Sequence, residues 1–310
     1  MIKKNLVFAV LLVLCQSVLF AQDSGKAAVY EQRYLKLVEK VGVDGVGVET
    51  VLNHWENADS TSSAMLMAKF SYYFNKSYSN RVVSKTSRKY LGNEPLFSLK
   101  DSTGTDVYYF EEPVFDDEIY GKAIQALDKA IRFYPIDMDY RFLKADAYMA
   151  YEKDSPDMAV AYLLDIVRSY RSKPNWKYEG KAMDDELFAG AMQEYCHALF
   201  SLASPNGYEA FKSLSEAMLK LFPKELMFMN NLGSYHLAVG KNCKKAISIF
   251  NKVLKKDPSN NVAIRNCIIA ARNMKDVKAE KKYLRMYIKY GPENEKTGSQ
   301  ARLDYLENNR

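Results

Sequence analysis

The strongest constraint on the fold is one spacing of residues that recurs along the chain. An alanine is followed after four residues by a large apolar residue, after three more by another apolar residue, and after five more by a proline. The order is found in Ala123-Leu127-Ala130-Pro135 and in Ala246-Phe250-Val253-Pro258. Steps of three and four residues place side chains on one face of a helix, and proline cannot continue that helix. Each segment therefore predicts an amphipathic helix that ends near its proline.

A partner helix is predicted just before Ala246. It carries Gly233 and ends at a turn near Gly240. A glycine lets two helices approach closely, so we expect Ala246 to face Gly233 and Phe250 to fill the space between the helices. This helix-turn-helix unit resembles the tetratricopeptide repeat of about 34 residues, and the chain resembles an exported bacterial protein of that type. It departs from the family's pattern at His236, where the family usually has tyrosine.

Weaker copies of the unit are predicted elsewhere. Ala145 and Tyr148 have the spacing of a first helix, and Ala210-Leu214-Ala217, ending at Pro223, has nearly that of a second. Further helices are expected from apolar spacing over residues 24 to 40, 47 to 56, 62 to 76, 157 to 170, 184 to 202, 261 to 273 and 277 to 290. Roughly five to six helix pairs result, above the minimum of about three that such arrays need.

The resemblance implies an all-α fold, in which antiparallel helix pairs stack into a right-handed superhelix. The predicted organisation has amino-terminal helices over residues 22 to 76, repeats over residues 117 to 292 and a polar tail or cap over residues 293 to 310. Leu303 and Leu306 are expected to anchor that cap as a short helix.

An inserted β-hairpin is predicted within residues 77 to 116. Leu96 to Lys100 and Thr105 to Glu111 are short runs of apolar, aromatic and β-branched residues joined by Asp101-Ser102-Thr103-Gly104. Residues 77 to 95 are expected to form an irregular lead-in. Nearby aromatic residues are expected to cover the base of the insertion rather than form an exposed binding surface; they are Phe70, Tyr72, Tyr73, Phe74, Tyr78, Tyr108, Tyr109 and Phe110.

Residues 1 to 21 have the features of a secretory signal peptide. Lys3 and Lys4 form a charged start, Leu6 to Leu14 are apolar, and Ala21 is a small residue before a cleavage site at Gln22. We therefore expect a periplasmic or secreted protein. The apolar run is shorter than the ~20 residues of a membrane span, and no later segment is comparable, so no membrane span is predicted.

Attachment of a lipid to Cys15 is the alternative for this segment. Leu12 to Cys15 resembles the lipobox of bacterial lipoproteins, but the residue before the cysteine should be small and Leu14 is large. Ordinary cleavage after Ala21 is therefore the prediction.

No catalytic or metal-binding pattern is found, so we expect a protein that is not an enzyme and has no cofactor. None of the three histidines, His54, His197 and His236, lies within four residues of another, which argues against a helical histidine pair for zinc. Cys196 and His197 are adjacent, and adjacent helical residues point about 100° apart, too far for a nucleophile and its base. A disulfide between Cys243 and Cys267 is the less favoured alternative to free thiols.

The charge is uneven along the chain. Residues 241 to 289 carry 14 basic residues against three acidic ones, whereas residues 22 to 240 carry 25 basic against 31 acidic. We favour a solvated lysine-rich surface over a dedicated docking patch for an anionic partner.

The resemblance implies a scaffold that binds a protein or peptide on a concave face lined by the first helix of each pair. The candidate residues are Asn230, Asn231, Ser234, Leu237, Arg265 and Asn266. Side-chain amides can pair with an extended peptide backbone, and Arg265 could hold a carboxylate. The alternatives are glycan binding through Tyr108 and Tyr109, or a small hydrolase. Nucleic acid is not an expected partner of an exported chain, and the sequence does not predict the oligomeric state.

Overall fold

The structure is a computed structural model that describes residues 25 to 172 and 175 to 308. Of these residues, 69% are helical. The thirteen described α-helices are α1 Gly25–Val41, α2 Val48–Ala58, α3 Ser63–Ser77, α4 Asp117–Phe133, α5 Met138–Glu152, α6 Asp157–Ser169, α7 Asp185–Ser201, α8 Pro205–Leu221, α9 Leu226–Ala238, α10 Cys243–Lys256, α11 Asn261–Asn273, α12 Val277–Tyr290 and α13 Glu293–Asn308. The predicted signal peptide and Cys15 lie outside the described residues.

The strands form two small sheets. They are β1 Tyr78–Lys85, β2 Phe97–Lys100, β3 Asp106–Phe115, β4 Lys177–Tyr178 and β5 Lys181–Ala182. The chain divides into two compact units, the first extending to Asp185 and the second beginning at Glu186. Within the described ranges, no helix is both long and apolar enough to cross a membrane.

The first unit begins with three helices close to their predicted ranges. Their apolar faces meet α4 in one core, whose largest fully buried side chains include Tyr34, Trp55 and Phe70. Glu56 on α2 ties the helices together at the rim, because Lys69 of α3 and Lys129 of α4 both donate to its carboxylate, at 2.5 and 2.8 Å. Core packing and these two ion pairs together hold α2, α3 and α4 side by side.

The predicted hairpin forms, but as part of a three-stranded antiparallel sheet in the order β1-β3-β2. Phe97 pairs with Tyr109 across β2 and β3, and the turn follows Asp101, whose carboxylate accepts from the backbone of Thr103 and Thr105. The expectation of an irregular segment over residues 77 to 95 is wrong for residues 78 to 85, which form β1 along β3, whereas residues 86 to 95 are irregular. Most side chains of β1 are exposed, so its sequence lacks the alternation of polar and apolar residues that marks a half-buried strand.

Aromatic side chains pack where the sheet joins the helices. Phe74 at the end of α3 lies 5.6 Å from Phe115 at the end of β3, measured between ring centroids. Phe115 also contacts Tyr120 of α4 at 5.4 Å, and Tyr120 stacks on Tyr151 of α5 at 4.4 Å. The aromatic rings therefore anchor the base of the sheet to three helices.

A second pair of short strands, β4 and β5, was not predicted from the sequence. The pair follows α6 and is fastened to the start of α5, since the backbone N–H of Glu179 donates to both carboxylate oxygens of Asp139, at 3.2 and 2.9 Å. Two-residue strands carry too little periodicity to be recognised in a sequence.

The second unit consists of α7 to α13, joined by short turns. The residues with the recurring spacing lie inside the helix contacts: Ala246 and Phe250 are fully buried, and the Phe250 ring lies against Gly233. The alanines and leucine expected to pack between helices elsewhere, Ala123, Leu127, Ala130, Ala145 and Ala210, are also buried, and Tyr148 is half-buried.

The last helix, α13, covers the end of the core of the second unit. Leu303 and Leu306 are buried, as a capping helix requires. Glu280 on α12 is 3% exposed and accepts hydrogen bonds from Arg272 of α11 and Arg302 of α13, at 3.0 and 2.9 Å. One buried carboxylate thus links the three final helices.

Candidate functional site

A groove of about 700 Å³ opens on the second unit. It is bordered by the end of α7, the second half of α9, the turn that follows α9, and α11. Its lining residues are Phe200, Ser234, Leu237, Ala238, Lys241, Cys243, Asn266, Ile269 and Asn273. The groove therefore lies along the first helix of each successive pair, which is where the sequence places the binding residues.

The apolar part of the groove comes from three helices. Phe200 is held at the end of α7 by the rings of Phe211 and Tyr208, whose centroids lie 4.9 and 5.2 Å away. Leu237 of α9 is half-buried, and Ile269 of α11 is 46% exposed. An exposed isoleucine beside a preorganised aromatic ring can accept an apolar side chain without first breaking the core.

The polar part of the groove is neutral or positively charged. The amide of Asn266 donates to the hydroxyl of Ser234 at 3.3 Å, which leaves the other groups of both side chains free for a ligand. Lys241 lies in the turn after α9 with a left-handed backbone, φ 45°, and its side chain is exposed. No carboxylate is among the lining residues. The groove can therefore hold an apolar side chain next to hydrogen-bonding and anionic groups.

Three of the predicted binding residues, Ser234, Leu237 and Asn266, meet in this groove. Arg265 does not line it; the guanidinium is exposed and lies 3.7 Å from the carboxylate of Glu295. Arg265 is thus close to the groove along α11 but already has a weak ionic partner on α13.

The other two predicted binding residues are buried between helices. Asn231 is 8% exposed and exchanges two hydrogen bonds with the Gln193 amide, at 2.8 and 3.2 Å, while also donating to Ser215 at 3.2 Å. Asn230 is 6% exposed and donates to the side chain of Asn260 at 3.0 Å. These internal contacts do not favour peptide binding by either amide, so that role stays a prediction without support from their positions.

Several lining residues were not among the predicted ones. Ile269 and Asn273 follow the predicted Asn266 at steps of three and four on α11, so they lie on the same face of that helix. That spacing was the signal that could have identified them. Phe200 had no comparable signal, because its place in the groove depends on how α7 packs within the unit.

The three cysteines of the described chain are free thiols, which decides against a Cys243–Cys267 disulfide. Cys196 and Cys267 are fully buried, and burial raises the pKa of each thiol to about 12. Cys243 is partly exposed at the edge of the groove. It is therefore the cysteine best placed to report what occupies the groove.

The histidines are dispersed. His197 is exposed on α7, and burial together with Lys245 and Lys212 lowers the pKa of His236 below its ordinary value. In the part of the chain that the structure describes, no three histidine, cysteine or carboxylate side chains are grouped as a metal site would require.

The chain was compared with models of known protein families and with curated proteins. No family model matches it, and no curated protein matches it either. The groove is therefore the feature of the chain that supports a candidate function.

Proposed function

We propose that the protein is a non-enzymatic interaction module whose groove binds an extended segment of a protein partner. The observation that carries the proposal is the composition of the groove. Phe200, Leu237 and Ile269 supply apolar contacts, while Ser234 and Asn266 supply hydrogen-bonding groups. Mixed linings of this kind suit a peptide, whose side chains need pockets and whose backbone needs donors and acceptors.

The preferred segment carries an apolar residue with an acidic residue next to it. Ile269 and the ring of Phe200 offer the apolar contact. Lys241 is the charged side chain of the lining, and no carboxylate there would repel an acidic ligand. Charge complementarity of this kind mainly improves specificity and association rate.

The proposal extends to the repeat type and to the location of the protein. The contact between Gly233 and Phe250, with Ala246 buried on the same helix as Phe250, supports helix pairs of the tetratricopeptide type, stacked into a right-handed superhelix. The charged and apolar start of the sequence supports export to the cell envelope, where the partner would be found.

The test uses two matched variants on α11. Ile269→Lys places a charge in the groove, and Val262→Lys makes the same change at an exposed valine of the same helix that does not line the groove. A displayed library of random peptides is selected against the wild-type protein, and the affinity of the enriched peptides is then measured for all three proteins.

We expect Ile269→Lys to weaken peptide binding by at least about tenfold, the order of effect of losing one buried apolar contact and placing a charge there. Val262→Lys should bind as the wild type does. Peptides that bind all three proteins equally, or the absence of any enriched peptide, would overturn the groove as the site. Equal melting temperatures of the two variants show that folding is not the cause.

A further inference from the structure

Helices α10 and α12 of the second unit carry ten cations on their solvent-facing sides. They are Lys244, Lys245, Lys252, Lys255 and Lys256 on α10, and Lys278, Lys281, Lys282, Arg285 and Lys289 on α12; Lys281 is half-buried and the other nine are exposed. At 3.6 residues per turn, each set of five falls within an arc of about 120°. The opposite arc of each helix holds core residues such as Phe250 and Leu284.

The two sets lie on neighbouring helices. The hydroxyl of Tyr283 on α12 donates to the side-chain oxygen of Asn251 on α10 at 3.0 Å, and both helices pack on α11. From Lys244 to Lys256 the row on α10 is about 18 Å long, at 1.5 Å per residue. The Tyr283–Asn251 hydrogen bond brings the two helices alongside each other, so the two rows form one broad surface. We call the nine lysines of this surface the lysine face.

The charge of the lysine face is not neutralised by its own helices. Helix α10 contains no acidic residue, and the single one on α12, Glu280, is buried and engaged by Arg272 and Arg302. Arg285 pairs with Glu307 at 2.6 Å. Among the described residues, the nine lysines take part in no ion pair, so their field extends into solvent.

The chemistry of the lysine face favours a phospholipid surface over nucleic acid. Lysine is a point charge on a flexible stem, suited to many scattered phosphates, whereas arginine is preferred for bidentate recognition of single groups. Proteins that hold single-stranded nucleic acid add exposed aromatic rings for stacking. Here Phe250, Tyr283 and Tyr287 are buried, and the half-buried ring of Tyr290 is covered by Lys289, so the face offers charge without an open stacking platform.

We propose that the lysine face docks the protein onto an anionic bilayer through the phosphate groups of its lipids. The contact is peripheral: lysines lie among the headgroups and no helix enters the hydrocarbon layer. Clusters of basic side chains are drawn to the negative potential of such surfaces within about a Debye length, ~8 Å at physiological salt. The groove is lined by α7, α9, α11 and Cys243 at the start of α10. At 100° per residue Cys243 lies on the side of α10 opposite its lysines, so docking through the lysine face leaves the groove open to a peptide.

The test measures cosedimentation of the protein with vesicles. One set contains phosphatidylcholine and phosphatidylglycerol in equal parts, and the other contains phosphatidylcholine alone. The protein is used with and without residues 1 to 21, so that adsorption through the apolar amino-terminal run is measured separately.

The variant combines Lys244→Glu, Lys252→Glu, Lys255→Glu and Lys278→Glu. The matched control reverses four exposed lysines of the first unit, Lys26, Lys36, Lys40 and Lys100, and so has the same net charge. A version with glutamine at the four positions of the lysine face replaces the first variant if glutamates at the end of α10 lower its melting temperature.

We expect the protein to bind the anionic vesicles, with or without residues 1 to 21, and to leave them at about 0.5 M salt, where screening is strong. The lysine-face variant should lose at least tenfold in partitioning, and the control should change by less than threefold. Equal losses in both, binding that resists salt, or retention on double-stranded DNA but not on vesicles would overturn the proposal.

Discussion

The ring of Phe250 occupies the space that a side chain on Gly233 would need. A Cβ built on Gly233 would lie 2.4 Å from Cε1 of Phe250, closer than real Cβ contacts allow. This contact sets how closely α9 and α10 approach, and it lies directly behind the groove residue Ser234.

Replacing Gly233 with alanine should therefore destabilise the second unit by about 2 kcal/mol, as overpacking of a well-filled core does. Urea unfolding followed by circular dichroism measures the change. Gly190→Ala is the matched control, because nothing lies within 4 Å of a Cβ at that helical position. There the helix should gain about 0.5 to 1 kcal/mol. If both changes stabilise the protein, close packing at Gly233 is disproved.

The three thiols should differ in reactivity. Only the thiolate form reacts, and burial suppresses it at Cys196 and Cys267, whereas Cys243 is partly exposed. An alkylating reagent should modify Cys243 at least about tenfold faster than the other two. Mass spectrometry of the digested protein gives the three rates. A peptide bound in the groove should slow modification of Cys243 alone, and an unchanged rate at saturation would place the peptide elsewhere.

Glu280 should make the second unit sensitive to acid. Burial alone would raise the pKa of this carboxyl, but hydrogen bonds and charge from Arg302 and Arg272 lower it below its ordinary value. A carboxyl whose folded pKa is depressed stabilises the fold above the unfolded pKa, and that stabilisation is lost as the pH falls through the folded value. Stability of the wild type should therefore fall below about pH 4.5, the ordinary value for the unfolded chain.

Glu280→Gln should cost about 2 kcal/mol near neutral pH, as losing hydrogen bonds to a charged group does, and should weaken the acid dependence. The control is Glu307→Gln, which breaks only the exposed pair with Arg285 and should cost less than about 1 kcal/mol. Chemical unfolding at several pH values measures both. Equal losses for the two variants would show that the buried link between α11, α12 and α13 adds nothing.

Asp139 should give the first unit the opposite dependence. Burial, and then the hydrogen bond and charge of neighbouring Asp137, raise the pKa of Asp139 above its ordinary value, although the backbone N–H of Glu179 opposes this. Because the folded carboxyl keeps its proton to higher pH than the unfolded chain does, stability should be greatest below about pH 4 and fall as the pH rises through the folded pKa. The slope is at most about 1.4 kcal/mol per pH unit. Asp139→Asn should flatten it, whereas Asp165→Asn, at an exposed position of α6, should not.

How far the sequence predicted the fold depended on the kind of periodicity each element carries. Helices with a buried stripe, such as α1 to α3 and α10, can be predicted because their apolar residues recur at steps of three and four. Strand β1 does not, because its side chains are mostly exposed and its pairing is with β3, more than twenty residues later in the chain. The local spacing of apolar residues indicates which side chains are buried. It does not indicate which distant strand will form the backbone hydrogen bonds.

The groove was predicted only in part for a related reason. Ser234, Leu237 and Asn266, which the sequence analysis assigned to one surface, line the same groove. Asn230 and Asn231 lie on the same helix as Ser234, but their amides turn into the contacts with neighbouring helices. A sequence predicts the helix face on which a polar side chain lies. Its hydrogen-bond partner is known only once the positions of the neighbouring helices are known.

The hydrogen bonds of Asn231 have a consequence for the order of the helices. Its amide bonds to Gln193 of α7 and Ser215 of α8, and Ser215 is itself held by the carbonyl of Phe211. An apolar contact would tolerate sliding or exchange of neighbouring helices. A buried amide in the wrong place would lose its hydrogen bonds to water without gaining a partner in the protein. The hydrogen bonds of Asn231 thus favour the observed order of α7, α8 and α9, and a chain with two helix pairs transposed should be less stable by about 1 to 3 kcal/mol for this amide alone.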